Sequence, residues 1–306
     1  YDAKTGETLV QGKNGLPIDH PTRVIREDPR QAGLLYAGTE FGFFVSFNGG
    51  RNWQSLQQNL PTTPITDIKV HRNDLVISTM GRSAWIMDNI TPLQELARLV
   101  NGTPRTTAGL GFSNEEVEQS LPAVAFFQPR ETIRYRSSTA PFSNVDPEYP
   151  FQGAQFDLWF ASAPGADTKL EVLDAGGAVL RTFNMAPPRA AGAPGQEMRG
   201  PFFRGPQGST SIRAEAGMQR ITWDLRYPGP WTAQNPAGGQ GGPMVPPGKY
   251  TVKLTSGATV ISRTLDLKSD PRVAADGVTD AAIAEQVKFQ LQVRDAVSDA
   301  RKLQVS

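Results

Sequence analysis

The 306-residue sequence contains no cysteine, and this excludes disulfide bridges, thiolate metal sites and cysteine nucleophiles. Histidine is almost absent as well. The two histidines, His20 and His71, have no neighbouring histidine or glutamate at metal-ligand spacing. The sequence also lacks a P-loop, a dinucleotide-binding fingerprint and a nucleophile elbow. It therefore predicts neither a metal site nor a cofactor.

An excess of one charge and long apolar runs are missing too. With 31 basic and 30 acidic residues the net charge is +1, which argues against a nucleic-acid partner. No stretch approaches the roughly 18 apolar residues of a transmembrane helix, so we predict no membrane span. The first residue is Tyr1 rather than methionine, and we expect the sequence to begin after a cleavage or within a longer chain.

What the sequence does have is glycine and proline, 30 and 25 residues, which favours many turns and short strands. We predict a mainly β fold. Within residues 1–95 two sets of short apolar strands follow each other, a spacing typical of propeller blades. The predicted strands are 34–38, 41–47, 65–70, 74–78 and 83–87. Two blades are too few for stability, so we expect further blades upstream in the same chain or in another chain.

Residues 96–150 are less regular, and we interpret them as a connector that packs on the propeller. Between 151 and 272 the apolar period becomes two, as in Phe156, Leu158 and Phe160. Asp174-Ala175-Gly176-Gly177 marks a hairpin, and the number of strands predicts an immunoglobulin-like sandwich. Two Pro/Gly-rich loops interrupt it. Their aromatic residues are either interface anchors or folded back over the sandwich edge: Phe202, Phe203 and Trp231.

Residues 273–306 predict a C-terminal helical segment. Thr279 is a candidate N-cap, and Ile283, Val287 and Leu291 then lie four residues apart. We expect three further residues to widen the same apolar face: Phe289, Val293 and Val297.

One motif carries a family resemblance. Residues 46–53, with Ser46, Asn48, Gly50 and Trp53 at the key positions, resemble the Asp-box, Ser-x-Asp-x-Gly-x-x-Trp. Asn48 replaces the usual aspartate, a conservative change because asparagine also hydrogen-bonds turn amides. The Asp-box marks the BNR repeats of sialidases and sortilin-like propellers, in which it is a structural turn on the propeller's outer edge.

The surrounding residues extend this resemblance. Segments 38–42 and 81–88 are similar to the last blades of bacterial sortilin-like BNR proteins, and 223–230 and 246–252 resemble the FlgD-like immunoglobulin-type domain that follows them. Those are large exported proteins, often labelled putative glycosyl hydrolases. The resemblance implies a periplasmic or secreted location.

Catalysis on glycans would need paired carboxyl groups and arginines near a channel mouth. Glu40, Asp67, Asp88 and Arg82 lie near predicted strand ends and are the candidates, although acidic residues there are ordinarily turn or solvated residues. We therefore favour a noncatalytic protein- or glycan-binding scaffold. Two alternatives stay open: a sialidase-like glycoside hydrolase whose site lies mostly in upstream blades, and an accessory subunit of a larger complex.

Overall fold

The computed structural model describes residues 14–102, 122–135, 153–186, 210–236, 238 and 241–305, and it is mainly β. The chain divides into two compact units, Tyr1–Pro122 and Ala123–Ser306. Much of the predicted connector lies outside the described residues, namely 103–121 and 136–150. So does most of the first Pro/Gly-rich loop, with Phe202 and Phe203.

The first unit begins with a four-stranded antiparallel sheet whose strands lie in chain order: β1 (Thr22–Glu27), β2 (Leu35–Thr39), β3 (Phe43–Ser46) and β4 (Gln54–Ser55). The turn from β3 to β4 requires two residues in the left-handed region. Gly49 and Gly50 supply them, with φ values of 73° and 83°.

A three-stranded antiparallel sheet follows, then a helix: β5 (Ile65–His71), β6 (Asp74–Thr79), β7 (Ala84–Met87) and α1 (Thr91–Gly102). The two sheets and α1 share one apolar core, to which Tyr36, Phe43 and Ile65 belong. Gly38 makes the close contact possible, because a Cβ at this position would lie only 2.5 Å from Ile65 Cγ2. The core of the first unit therefore lies between its two sheets.

The strand directions give the first unit two distinct ends. At one end, here called the loop end, the β2–β3 turn (40–42) and the β6–β7 turn (80–83) lie near the start of β1, and the Glu40 N–H donates to the Pro21 carbonyl. At the other, here called the box end, lies the β3–β4 turn. Arg30 there donates to the side chain of Asn73. Strands of this length separate the ends by about 15–20 Å.

The second unit consists of two sheets that share one core. The smaller has the order β13-β10-β8 and the larger β12-β11-β14-β15-β9. The strands are β8 (Val124–Phe126), β9 (Thr132–Arg134), β10 (Ala154–Phe160), β11 (Lys169–Leu173), β12 (Val179–Asn184), β13 (Gly217–Trp223), β14 (Gly248–Ser256) and β15 (Thr259–Ser269). The predicted alternation and hairpin are confirmed. Phe156, Leu158 and Phe160 are buried in the shared core, and β11 pairs with β12 around Asp174.

The strands β8 and β9 lie in the segment that the sequence assigned to a connector. Phe126 and Thr132 are buried, and the two strands complete the edges of the second unit's sheets, β8 beside β10 and β9 parallel to β15. They are only three residues long. Too few residues alternate for a strand pattern to be visible in the sequence.

Two helices end the described chain, α2 (Pro271–Ala275) and α3 (Asp280–Val305). The Thr279 hydroxyl accepts the N–H of Ala282, which confirms the predicted N-cap of α3. Ile283 and Val287 are buried as expected. In the part of the chain that the structure describes, no helix is long and apolar enough to cross a membrane.

The prediction that three more apolar residues widen this buried face is wrong. Phe289, Val293 and Val297 are exposed. Two positions along a helix turn it by about 200°, so Phe289 lies nearly opposite Val287. The helix therefore has a second apolar stripe, on the side away from its own unit's core.

Candidate binding surface

The Asp-box turn is closed by its own hydrogen bonds. Ser46 Oγ accepts the Gly50 N–H (2.9 Å), and Asn48 Oδ1 accepts both the Ser46 hydroxyl (3.1 Å) and the Asn52 N–H (3.0 Å). The indole of Trp53 donates to the Gly50 carbonyl (3.0 Å). The motif's polar groups are thus used within the turn.

Near the box end, a buried carboxylate joins a turn, a strand and α1. Asp28 accepts the Arg30 and Gln31 N–H groups, the Tyr36 hydroxyl (3.1 Å) and the side-chain amide of Gln94 (3.1 Å). Burial, and secondarily the negative charge and hydrogen bond of Asp28, raise the pKa of Tyr36 well above its usual range. Because every bond is internal to the unit, we interpret this cluster as structural.

The candidate catalytic residues do not form one group. Glu40 lies in the β2–β3 turn and Arg82 in the β6–β7 turn, both at the loop end. Asp88 follows β7 at the opposite end, and Asp67 lies on β5 with its carboxylate 2.7 Å from the Arg26 guanidinium. The sequence located all four near strand ends but could not show which end each would occupy.

The loop-end turns are held by buried or half-buried threonines. Thr39 Oγ accepts the N–H groups of Phe41 (3.2 Å) and Gly42 (2.9 Å). Thr79 Oγ likewise accepts the Arg82 N–H (3.2 Å) and donates to the Ser83 carbonyl (2.6 Å). A threonine at the end of a strand thus fixes each turn and leaves the next side chains outside.

Two large apolar side chains project from these fixed turns. Phe41 is 50% exposed and Met80 is 56% exposed. The ring of Phe41 meets the His20 ring edge-on, with centroids 5.2 Å apart. The backbone of Met80 is anchored by bonds to Pro64 and Thr63. Since Gly38 contacts Ile65, and Ile65 pairs with Thr79, the two turns emerge side by side.

Charged groups flank these apolar side chains. The Glu40 carboxylate pairs with Arg23. Among the described residues the Arg82 guanidinium has no carboxylate partner. We call the set of Arg23, Glu40, Phe41, Met80 and Arg82 the loop-end surface. The sequence identified Glu40 and Arg82 as candidates but not Phe41 and Met80. A sequence pattern that could have identified the latter two is an apolar residue one or two positions after a threonine that ends a strand.

Comparison of the chain with protein-family models, curated proteins and solved structures finds no match. In the described ranges, no group of three His, Asp or Glu residues is arranged to hold a metal ion. Function is therefore inferred from the loop-end surface and its surroundings.

The aromatic residue of the second Pro/Gly-rich loop belongs to the second unit's own packing. The Trp231 N–H donates to Ser298 Oγ of α3 (3.0 Å), and its carbonyl accepts from Arg301 (3.3 Å). Trp231 is half-buried and its backbone is held by α3 of its own unit.

Proposed function

We propose that the chain is a noncatalytic binding scaffold and that the loop-end surface holds its ligand. The observation that carries this proposal is the exposure of Phe41 and Met80 on turns whose backbones are fixed by hydrogen bonds. Exposed apolar side chains on a rigid framework bind a partner at little cost in conformational entropy. Phenylalanine, methionine and arginine are also enriched at protein interfaces, so we propose a protein ligand.

We further propose that the first unit belongs to a BNR-type β-propeller. Its first sheet has four antiparallel strands in chain order, as a blade does, and carries the Asp-box turn. The innermost strand of the next sheet, β5, packs beside β1. Ile25 of β1 is exposed on the other side of the first sheet, which supports a preceding blade from this chain or another.

For the second unit we propose an immunoglobulin-like, FlgD-like domain. Two sheets enclose one core, and Trp223 packs edge-on against Tyr250 at 6.0 Å. The Tyr250 hydroxyl donates to the carbonyl of Pro246, four residues upstream, an arrangement similar to the tyrosine corner of immunoglobulin-like domains. Such a domain suits a spacer or docking module.

Binding is favoured over glycan hydrolysis by the positions of the candidate residues. A glycosidase uses two carboxyl groups about 5–10 Å apart. At the loop end Glu40 is paired with Arg23, while Asp88 lies at the box end, a strand length away. This arrangement supports a surface that binds rather than one that hydrolyses.

Site-specific photocrosslinking tests the proposal. A photoreactive phenylalanine analogue at position 41 is expected to crosslink one partner in cells that express the native gene, and Arg82→Glu should abolish that crosslink. The matched control carries the analogue at Ile86, which is also exposed but lies on the edge strand β7. Equal crosslinking from both positions would overturn the proposal. If the chain binds a glycan on an array and the Phe41→Ala variant does not, the ligand is a glycan instead of a protein.

Turnover of glycosides would favour the alternative function, a glycoside hydrolase. If the complete native protein hydrolyses a glycoside and the Glu40→Gln variant does not, the loop end is a catalytic site and the proposed binding function is wrong. We also propose an envelope or exterior location, on the family resemblance alone. Fractionation of cells carrying the tagged native gene checks it, since signal confined to the cytosol would contradict it.

A further inference from the structure

The second unit holds two arginine side chains against one short loop. Arg134 ends β9, and its Nε donates to the Val245 carbonyl (3.0 Å). Arg226 lies shortly after β13, and its Nη1 donates to the Gly242 carbonyl (2.9 Å). The backbone of Arg226 also pairs with Met244 of the same loop. The loop at 242–245 therefore brings two half-buried guanidinium groups to one place, and we call them the arginine pair.

The arginine pair has no carboxylate partner in the part of the chain that the structure describes. Each guanidinium makes one hydrogen bond there, and both of these bonds go to backbone carbonyls. The carboxylate of Asp224 accepts the backbone N–H of Arg226 (3.3 Å) rather than its guanidinium. Asp174 also lies in this part of the unit, but its Oδ1 accepts two N–H groups of its own hairpin turn. Most N–H donors of the arginine pair are therefore left over.

The two positive charges of the arginine pair act on each other. Burial, and secondarily the charge of Arg226, lowers the pKa of Arg134. Arginine nevertheless stays charged in proteins at neutral pH. Like charges repel more strongly in a partly buried position than in water, because the local dielectric constant is lower. A negatively charged group bound to both guanidinium groups would remove this repulsion.

The backbone just before Arg226 has an uncommon conformation. Leu225 has a φ of 59°, in the left-handed region that non-glycine residues rarely adopt. Its side chain is buried in the core of the unit, and the Arg226 carbonyl accepts the indole N–H of Trp223 (3.2 Å). Packing on both sides thus fixes the conformation. Backbone strain of this kind clusters at binding sites, and here it adjoins one member of the arginine pair.

We propose that the arginine pair is an anion-binding site for a phosphoryl group. A guanidinium group binds phosphate or carboxylate with two parallel N–H donors. The two guanidinium groups lie along one loop, each has donors to spare, and neither is neutralised by a described carboxylate. The second unit then has a binding function of its own, separate from the loop-end surface.

Charge favours a phosphoryl group over a carboxylate. A phosphate monoester carries a charge of about −1.5 to −2 at pH 7 and offers three acceptor oxygens. This nearly balances the charge of the arginine pair and gives both guanidinium groups an acceptor. A carboxylate carries a single negative charge and would leave the pair with excess positive charge. Inorganic phosphate and phosphate esters share the required chemistry.

Isothermal titration calorimetry on the full chain, in chloride buffer at constant ionic strength, tests the ligand. Inorganic phosphate and phosphoserine should each bind saturably at one site per chain, and acetate should bind much more weakly. Tighter binding of phosphoserine would identify a phosphorylated protein as the source, and tighter binding of inorganic phosphate would identify the free ion. Absence of phosphate binding, or acetate binding as tight as that of phosphate, would overturn the proposal.

Substitution locates the site. Arg134→Gln and Arg226→Gln should each weaken phosphate binding by about tenfold or more, because a charge-assisted hydrogen-bonded contact is lost. Arg226→Lys keeps the charge without the planar fork and should weaken binding less. The control is Arg213→Gln, which removes an exposed arginine of the same unit that pairs with Glu215 (3.6 Å). An equal loss in the control would show that phosphate does not bind at the arginine pair.

Thermal unfolding separates this site from a merely structural role. Phosphate should raise the Tm of the native chain by mass action, since it binds only the folded state. The same phosphate concentration should leave the Tm of Arg134→Gln and Arg226→Gln almost unchanged. If phosphate raises the Tm of these variants as much as that of the native chain, the arginine pair only holds the loop and the proposal is wrong.

Discussion

Asn48 shows what a single side chain does in the Asp-box. Its Oδ1 accepts two hydrogen bonds, one from the Ser46 hydroxyl and one from the Asn52 N–H, while the residue is almost fully buried. An amide oxygen performs this task as a carboxylate oxygen would. The departure from the usual aspartate therefore preserves the turn.

Substitution of Asn48 tests this. Asn48→Ala leaves the Asn52 N–H and the Ser46 hydroxyl without their acceptor, so the free energy of unfolding should fall by about 1–3 kcal/mol. Asn48→Asp keeps the acceptor and should lie within about 0.5 kcal/mol of the native chain or above it. Urea denaturation measures both, with the exposed Asn235→Ala as control. A loss in Asn48→Asp as large as in Asn48→Ala would contradict the assigned bonds.

The loop-end residues show the limit of sequence reasoning at this scale. Glu40 and Arg82 were identifiable because charged residues beside strand ends stand out. Phe41 looked like part of an apolar strand, and only the Thr39 bonds to its N–H and to that of Gly42 place it in the turn. Which end Asp88 occupies depends on the number of strands that precede it, and a local pattern does not contain that information.

Among the elements, predictability followed the regularity of alternation. Strands β10, β11 and β14 contain alternating apolar and polar residues and were predicted, whereas β1 was missed because Val24 is its one buried residue. In α3 both stripes have a helical period, so the sequence shows that each is apolar but not which one faces the core. That choice depends on the contacts of Arg294 and Ser298 with the loop at 228–231.

The contact between the two sheets of the first unit depends on Gly38. Gly38→Ala would put a Cβ 2.5 Å from Ile65 Cγ2 and 2.9 Å from Val24 Cγ1, so one sheet must shift. We expect a loss of about 1–3 kcal/mol, typical of overpacking. Hydrogen exchange of the β2 and β5 amides should become faster. Gly176→Ala, in an exposed hairpin turn, is the control, and unchanged exchange in Gly38→Ala would contradict the close contact.

At the scale of the whole molecule, each unit buries a tyrosine hydroxyl. Burial raises the pKa of Tyr36 in the first unit and of Tyr250 in the second, and nearby negative charge on Asp28 adds to the shift of Tyr36. The folded state therefore favours the neutral phenol. This contribution to stability is complete below the ordinary tyrosine pKa of about 10 and is lost as pH rises above it.

We accordingly expect the free energy of unfolding to decline above about pH 10, by at most about 1.4 kcal/mol per pH unit for each buried tyrosine. Tyr36→Phe and Tyr250→Phe should each flatten this decline while lowering stability at neutral pH, because Asp28 and the Pro246 carbonyl lose a donor. Urea titrations at a series of pH values measure the slope. The exposed Tyr135→Phe is the control, and an unchanged slope in Tyr36→Phe would contradict the prediction.

The parallel pairing of β9 with β15 has a consequence for synthesis on the ribosome. Gln128, between β8 and β9, donates to the Thr264 carbonyl, 136 residues further along the chain. These early strands cannot complete their sheets until almost the entire second unit has emerged. Among the described residues of the first unit, each strand pairs with a neighbouring strand of its own sheet. The strand pairings of the first unit can therefore form while the chain is still growing, whereas the sheets of the second unit must wait for its last strand.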